Sequence, residues 1–226
     1  MKLWKSSMCL VGLAVIVLSC FTASATSIAD GSNDIWHFAQ SGTAWSWGGN
    51  VGDKPNIDIT EVSSSTTGDK VTLMIKVDGT IQASETIFYY VYFNSTDTQY
   101  SLVWSNGRGY GWAVKEGSYG QGENITVSED TISAEFTSLG DTSTVDLWGY
   151  AVEYTVLDDQ TTHDWWGDWA PNTKFTGSMT PNGGNNSTNE TNGDNGTNQK
   201  PSTPGFEALA VISAVGIIMI LIRRNR

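Results

Sequence analysis

Seven consecutive residues, Ile87 to Phe93, are apolar or aromatic at every position. Such a run reads as a central strand covered on both faces. A second segment has the other strand signature. Val71, Leu73, Ile75 and Val77 alternate with Thr72, Met74, Lys76 and Asp78, a period of two. Gly68-Asp69 and Asp78-Gly79 bound it as turn formers. Further strands are expected over 34–38, 57–63, 99–105, 109–115, 123–127, 131–137 and 145–156. No stretch of the body carries a helical period. Many short strands separated by Gly, Asn and Asp turns predict an all-β chain, an antiparallel β-sandwich of jelly-roll type. Residues 26–180 are long enough for one such sandwich with a real core.

The two ends have a different character. Residues 1–25 read as a secretory signal helix. Lys2 and Lys5 form its basic start, Met8 to Phe21 its apolar run, and Ala23-Ser24-Ala25 its small-residue cleavage site. Cleavage is expected after Ala25. The alternatives are a retained N-terminal anchor and lipoprotein processing at Cys20. Cys9 and Cys20, the two cysteines of the chain, both lie in this segment. An exported body without cysteine must rely on packing or bound ions rather than disulfides.

Residues 181–203 are Asn, Gly, Thr, Ser and Pro with few apolar side chains. They cannot bury enough surface to offset ordering entropy, and read as a disordered stalk. Asn185, Asn186, Asn189 and Asn195 are Asn-x-Ser/Thr acceptors there, and Asn94 and Asn124 are two more in the body. The clustering points to a glycosylated spacer, although an Asn/Thr-rich composition also creates such sites by chance.

Residues 204–226 form a three-part tail: Pro204-Gly205-Phe206, an apolar stretch from Ala208 to Ile222, and Arg223, Arg224 and Arg226 at the end. The apolar stretch gives roughly 22 Å of helix, short of the ~30 Å hydrocarbon core of a bilayer. The terminal arginines place the body outside the cell. This order of parts resembles the PGF-CTERM sorting signal of archaeal surface proteins. The resemblance implies recognition by an archaeosortase, removal of the hydrophobic helix and lipid attachment near the motif. The alternative is a plain C-terminal membrane anchor. Either way the body is tethered at the outer face of the membrane or envelope.

The body also resembles DOMON-like and carbohydrate-binding-module-like sandwiches of secreted proteins. The likeness rests on Gly48-Gly49-Asn50-Val51-Gly52-Asp53, then Pro55 to Val62, the alternating strand 70–78 and the aromatic strand ending in Phe93-Asn94. That family binds sugars in some members and haem in others. For sugar, the residues themselves offer Trp45, Trp47, Trp104, Tyr110, Trp112, Trp165, Trp166 and Trp169. These sit among Gly, Ser, Asn and Asp rather than in apolar runs. Flat rings stack on the apolar faces of sugars, and neighbouring polar groups take the hydroxyls. Arg108, between Trp104 and Trp112, is the one arginine of residues 26–180. The competing reading is that most of these rings close the ends of the sandwich. Haem would have to draw on His37, His163, Met74 or Met179, a poor set.

Charge narrows the classes further. The chain carries 24 acidic against 12 basic side chains, and residues 26–180 hold 21 of those acids against six bases. This balance opposes nucleic-acid binding, which depends on Lys and Arg. It suits salty surroundings, solubility or divalent cations. Calcium ligands are expected in two acidic loops, one with Asp53, Asn56 and Asp58 and the other with Asp158, Asp159, His163, Asp164 and Asp168, without EF-hand spacing. No Gly-x-Ser-x-Gly, His-Glu-x-x-His or cysteine nucleophile is present. The expectation is therefore a non-catalytic, surface-tethered binding module for glycan. A structural or adhesive cell-envelope protein, associated with the surface layer, is the alternative, and a glycan-acting enzyme is third.

Overall fold

A computed structural model describes residues 23–49, 51–157 and 163–175. The signal helix, the stalk with Asn185, Asn186, Asn189 and Asn195, and the tail with Pro204, Gly205 and Phe206 lie outside the described residues. So do Asp158 and Asp159.

The described chain is all-β. Its strands are β1 (Ser24–Ala29), β2 (Trp36–Ser41), β3 (Ala44–Gly48), β4 (Ile59–Thr67), β5 (Lys70–Val77) and β6 (Ile87–Asn94), followed by β7 (Thr98–Ser105), β8 (Arg108–Lys115), β9 (Ser118–Ser128), β10 (Thr131–Thr137), β11 (Asp146–Tyr154) and β12 (Trp165–Ala170). A single 3-10 turn, Asn172–Lys174, follows. The strands form one antiparallel sheet in the order β1-β4-β5-β10-β9-β8-β7-β6-β11-β12-β2-β3.

That sheet folds over on itself, and β9 is the corner. Residues 118–121 of β9 pair with β8, whereas residues 122–128 pair with β10. The fold brings β4 and β5 across from β6, β11 and β12, which gives a sandwich-like pair of layers. Val62, Leu73, Ile75 and Phe136 from one layer meet Tyr89, Val91, Phe93 and Leu102 from the other in the inner core. Gly149 shows how close the layers come, since a Cβ there would lie 2.8 Å from Val62 Cγ2.

The alternation of β8 makes the corner. Gly109, Gly111 and Ala113 point inward, and Tyr110 and Trp112 outward. A Cβ on Gly109 would overlap Ile125. One on Gly111 would lie 2.8 Å from Gly122 Cα and 3.0 Å from Phe136. Two strands can approach this closely only where neither carries a side chain. The preceding turn has the residues that a two-residue hairpin needs, Asn106 (φ 50°) and Gly107 (φ 71°), both left-handed.

All nine expected strands are present, with ends shifted by a few residues. β1, β3 and β12 were not expected. β1 starts at Ser24, inside the segment read as signal peptide, and pairs Thr26 to Ala29 with Ser64 to Glu61. β3 and β12 hold Trp45, Trp47, Trp165, Trp166 and Trp169, whose Gly, Ser and Asp neighbours look like loop.

Gly111→Ala should lower stability by about 1–3 kcal/mol through overpacking. Gly120→Ala on the same corner should be near neutral, because its Cβ would meet Leu139 at 3.5 Å, an ordinary contact. Urea unfolding of the two variants beside the parent chain measures the difference.

Candidate functional site

The even-numbered residues of β6 face away from the inner core. Phe88, Tyr90 and Tyr92 lie with Val103, Tyr150, Val152 and Tyr154 in a second buried cluster on the outer side of the same layer. Register explains the arrangement. Tyr92 pairs with Trp148 and Tyr90 with Tyr150, and Tyr150 pairs in turn with Trp169. Trp165 sits opposite Phe38 and Phe38 opposite Trp47. Antiparallel pairing thus sets aromatic residues side by side across successive strands.

The rings form a continuous ladder. Tyr92 stacks on Trp148 at 4.5 Å and Tyr90 on Tyr150 at 4.2 Å. Tyr150 lies parallel to Trp169 at 6.1 Å, and Trp169 leads to Trp47 at 5.6 Å. Trp47 packs edge-on against Trp165 at 4.4 Å, and Phe38 carries the contact to Trp45 at 5.7 Å. Phe175, just past the 3-10 turn, stacks on Trp36 at 4.5 Å and touches Trp169 at 4.8 Å. Tyr90, Tyr92 and Tyr150 are almost fully buried, whereas Trp112, Trp148, Trp165 and Trp169 are half-buried at the surface of the cluster.

Burial dominates the ionisation of these phenols. Tyr92 is pushed up to about 12, and Tyr90, Tyr150 and Tyr154 are also raised by burial. In the inner core, Tyr89 is likewise pushed up to about 12, and its hydroxyl donates to Asn56 O at 2.8 Å. Five of the eight tyrosines are therefore held neutral beyond their ordinary range. An unfolded tyrosine ionises near pH 10. The stability these groups confer is complete below that value and is lost as pH rises toward the folded values. Ultraviolet titration at about pH 11 should detect no more than three tyrosinates in the folded chain and all eight in urea.

The residues named from sequence divide between the two faces. Trp45, Trp47, Trp112, Trp165 and Trp169 lie on the outer side with the ladder. Tyr110 and Arg108 are exposed on β8 beside Trp112. Trp104 is a core residue, 5% exposed, with its ring against Tyr89 at 5.6 Å, so it offers nothing to a ligand. Trp166 packs against the inner core, between His37, stacked at 4.6 Å, and Lys54 Nζ, 3.9 Å from its ring centre. Met74 points out from β5, and so lies in a different layer from His37. Trp36, Tyr92, Trp148 and Tyr150 were missed. The alternation of Tyr90 with Tyr92 and of Trp148 with Tyr150 was the available signal. Of the two acceptor sites in the body, Asn94 ends β6, half-buried. Asn124 is exposed at a bulge of β9 with a left-handed φ of 47° and donates to Glu135 at 2.6 Å.

A second cluster is acidic. Carboxylate oxygens of Asp30, Asp34 and Asp168 all lie within 4.8 Å of one another. Asp168 is fully buried on the inner side of β12. Its Oδ2 accepts from Ile59 N at 2.6 Å and its Oδ1 from Trp169 N at 2.8 Å. Asp58 is 1% exposed and accepts from Asn33 N through Oδ2 at 2.8 Å. Asn172 Nδ2 donates to Asp34 at 2.7 Å and lies 3.5 Å from Asp30. Burial, and then mutual repulsion, push Asp168 up to about 8 and Asp30 up to about 6. Asp58 moves the same way for the same reasons. Of the acidic residues expected to bind calcium, Asp168 belongs to this group and Asp58 lies beside it. Asp164 instead meets His37 Nε2 at 3.3 Å, and Asp53 sits in the loop that precedes Asp58, its amide on Val51 O.

Comparison of the chain with protein-family models, with characterised proteins and with solved structures finds no match.

Proposed function

We propose that this chain is an extracellular binding module, tethered to the cell surface through its C-terminal tail, that recognises glycan on the outer aromatic face of the β8 to β3 layer. One observation carries the reading, the unbroken ladder from Trp148 through Tyr150 and Trp169 to Trp47 and Trp45. Partly exposed, mutually braced rings provide flat apolar platforms that stay in place without a ligand. Little ordering entropy is then lost on binding. Arg108, Tyr110 and Trp112 add charge, a hydroxyl and another ring at one margin. In this reading the sandwich is of the DOMON-like or carbohydrate-binding-module kind, and the sorting tail keeps it at the envelope. It performs no chemistry on its ligand.

A second reading draws on one specific feature. Tyr90, Tyr92 and Tyr150 already cover each other, and a face so occupied also suits a protein neighbour in the envelope, or a second copy of the chain.

The test is a glycan-array screen of the purified full chain, followed by tryptophan-fluorescence titration of each hit. Saturable binding should weaken on the order of tenfold or more in Trp112→Ala and Trp148→Ala. Tyr119→Ala, exposed on β9, should leave it unchanged. No hit from folded protein, together with concentration-dependent association in sedimentation, would favour the structural reading.

A further inference from the structure

The acidic cluster has a property that the aromatic face does not account for. Four of its side-chain oxygens are buried with no hydrogen-bond partner: Asp30 Oδ2, Asp34 Oδ1, Asp58 Oδ1 and Asn172 Oδ1. Buried polar atoms are nearly always satisfied, and each exception needs a cause. Here every orphan is an acceptor, so what they lack in common is a hydrogen-bond donor or a cation.

Asp58 is the sharpest case. Its side chain is 1% exposed, and Asn33 N occupies only Oδ2, leaving Oδ1 bare. Its Oδ2 holds the amide of Asn33, the residue before Asp34, and the amide of the residue after it, Ile59, is held by Asp168 Oδ2, so Asp58 lies directly beside the cluster. Asn172 is independent of the acid count, because it is neutral. Asp34 fixes its Nδ2, yet its Oδ1 is buried without a donor. The lysines of neighbouring segments are engaged elsewhere, Lys54 with Glu153 at 2.6 Å and Lys174 with Asp146 at 2.6 Å.

We propose that Asp30, Asp34, Asp58, Asp168 and Asn172 bind one calcium ion. The donors are all oxygen, which selects a hard cation over zinc or copper. Calcium takes about six to eight oxygens at roughly 2.3–2.6 Å in loose geometry. The carboxylates of Asp30, Asp34 and Asp168, within 4.8 Å of one another, can share such an ion, with Asp58 at their flank. Both oxygens of Asp168 already accept backbone N–H groups, and each keeps a further lone pair. The ligands come from the end of β1, the approach to β2, the approach to β4, β12 and the turn after it. β1 and β4 belong to one layer and β2 and β12 to the other, so the ion clamps the two layers at this end. No cysteine is present among the described residues to do so covalently.

The test uses the full chain, freed of metal with EDTA and desalted. Terbium, which stands in for calcium, should luminesce on excitation of tryptophan, and calcium should displace it. Calcium should raise the midpoint of thermal unfolding. Asp34→Asn and Asp58→Asn should weaken calcium binding by at least about tenfold. Both variants should remain as stable as the parent chain in EDTA, because each removes a repulsive charge. Asp53→Asn and Asp164→Asn should bind calcium like the parent. An unfolding midpoint that is the same in calcium and in EDTA, with no displaceable terbium signal, would overturn the proposal. So would a calcium response that survives in both Asp34→Asn and Asp58→Asn. The readout requires no glycan, so it stands apart from the fate of the binding reading.

Discussion

β6 buries side chains on both of its faces, and the two faces are covered by different means. On the inner side, Tyr89, Val91 and Phe93 meet a second layer of sheet. On the outer side, Phe88, Tyr90 and Tyr92 lie under the rings of the adjoining strands. A strand of this composition would be insoluble as an edge or as a one-sided element. Its place near the middle of the layer, and the aromatic content of β11 and β12 beside it, follow from that demand. Large flat side chains are well suited to the outer role. Each hides much apolar area, and neighbours stack in offset fashion with additional attraction. The candidate binding face is therefore also a piece of core, built sideways within a single layer.

The inner core imposes its own condition at the corner. One continuous sheet becomes two layers only if β8 and β9 approach within backbone contact, and Gly109, Gly111 and Gly122 make that approach possible. The same strand sends Tyr110 and Trp112 outward. Its Gly-aromatic alternation thus serves the bend on one side and the surface on the other.

Much of this was legible in the sequence, and the losses have physical reasons. The alternation of β5 and the apolar run of β6 are local patterns, and both strands were read to within a residue. β12 reads Trp-Trp-Gly-Asp-Trp-Ala, and propensity alone assigns its Gly and Asp to a loop. Tertiary context decides otherwise. Gly167 leaves room for the Trp169 ring, and Asp168 is a strand residue whose carboxylate is held by two amides. Local reading reached the acidic cluster only in part, since Asp58 and Asp168 were assigned to two separate loops and Asp30 and Asp34 to none. Asp158, Asp159 and Asp164 crowd one loop and attract the eye. The carboxylates that do converge stand at positions 30, 34 and 168, with Asp58 beside them, and only the pairing of β1 with β4 and of β12 with β2 brings them together.

The same topology has a kinetic consequence. β6 to β10 form a meander of adjacent hairpins, whose loops are short and inexpensive to close. Pairing Trp36 with Gly167 closes a loop of 131 residues (167 − 36). Contacts of such separation arrive late and slow the search. The repelling carboxylates are thus assembled where the two ends of the body finally meet. A cation bound there would act chiefly on unfolding, holding shut the seam that forms last.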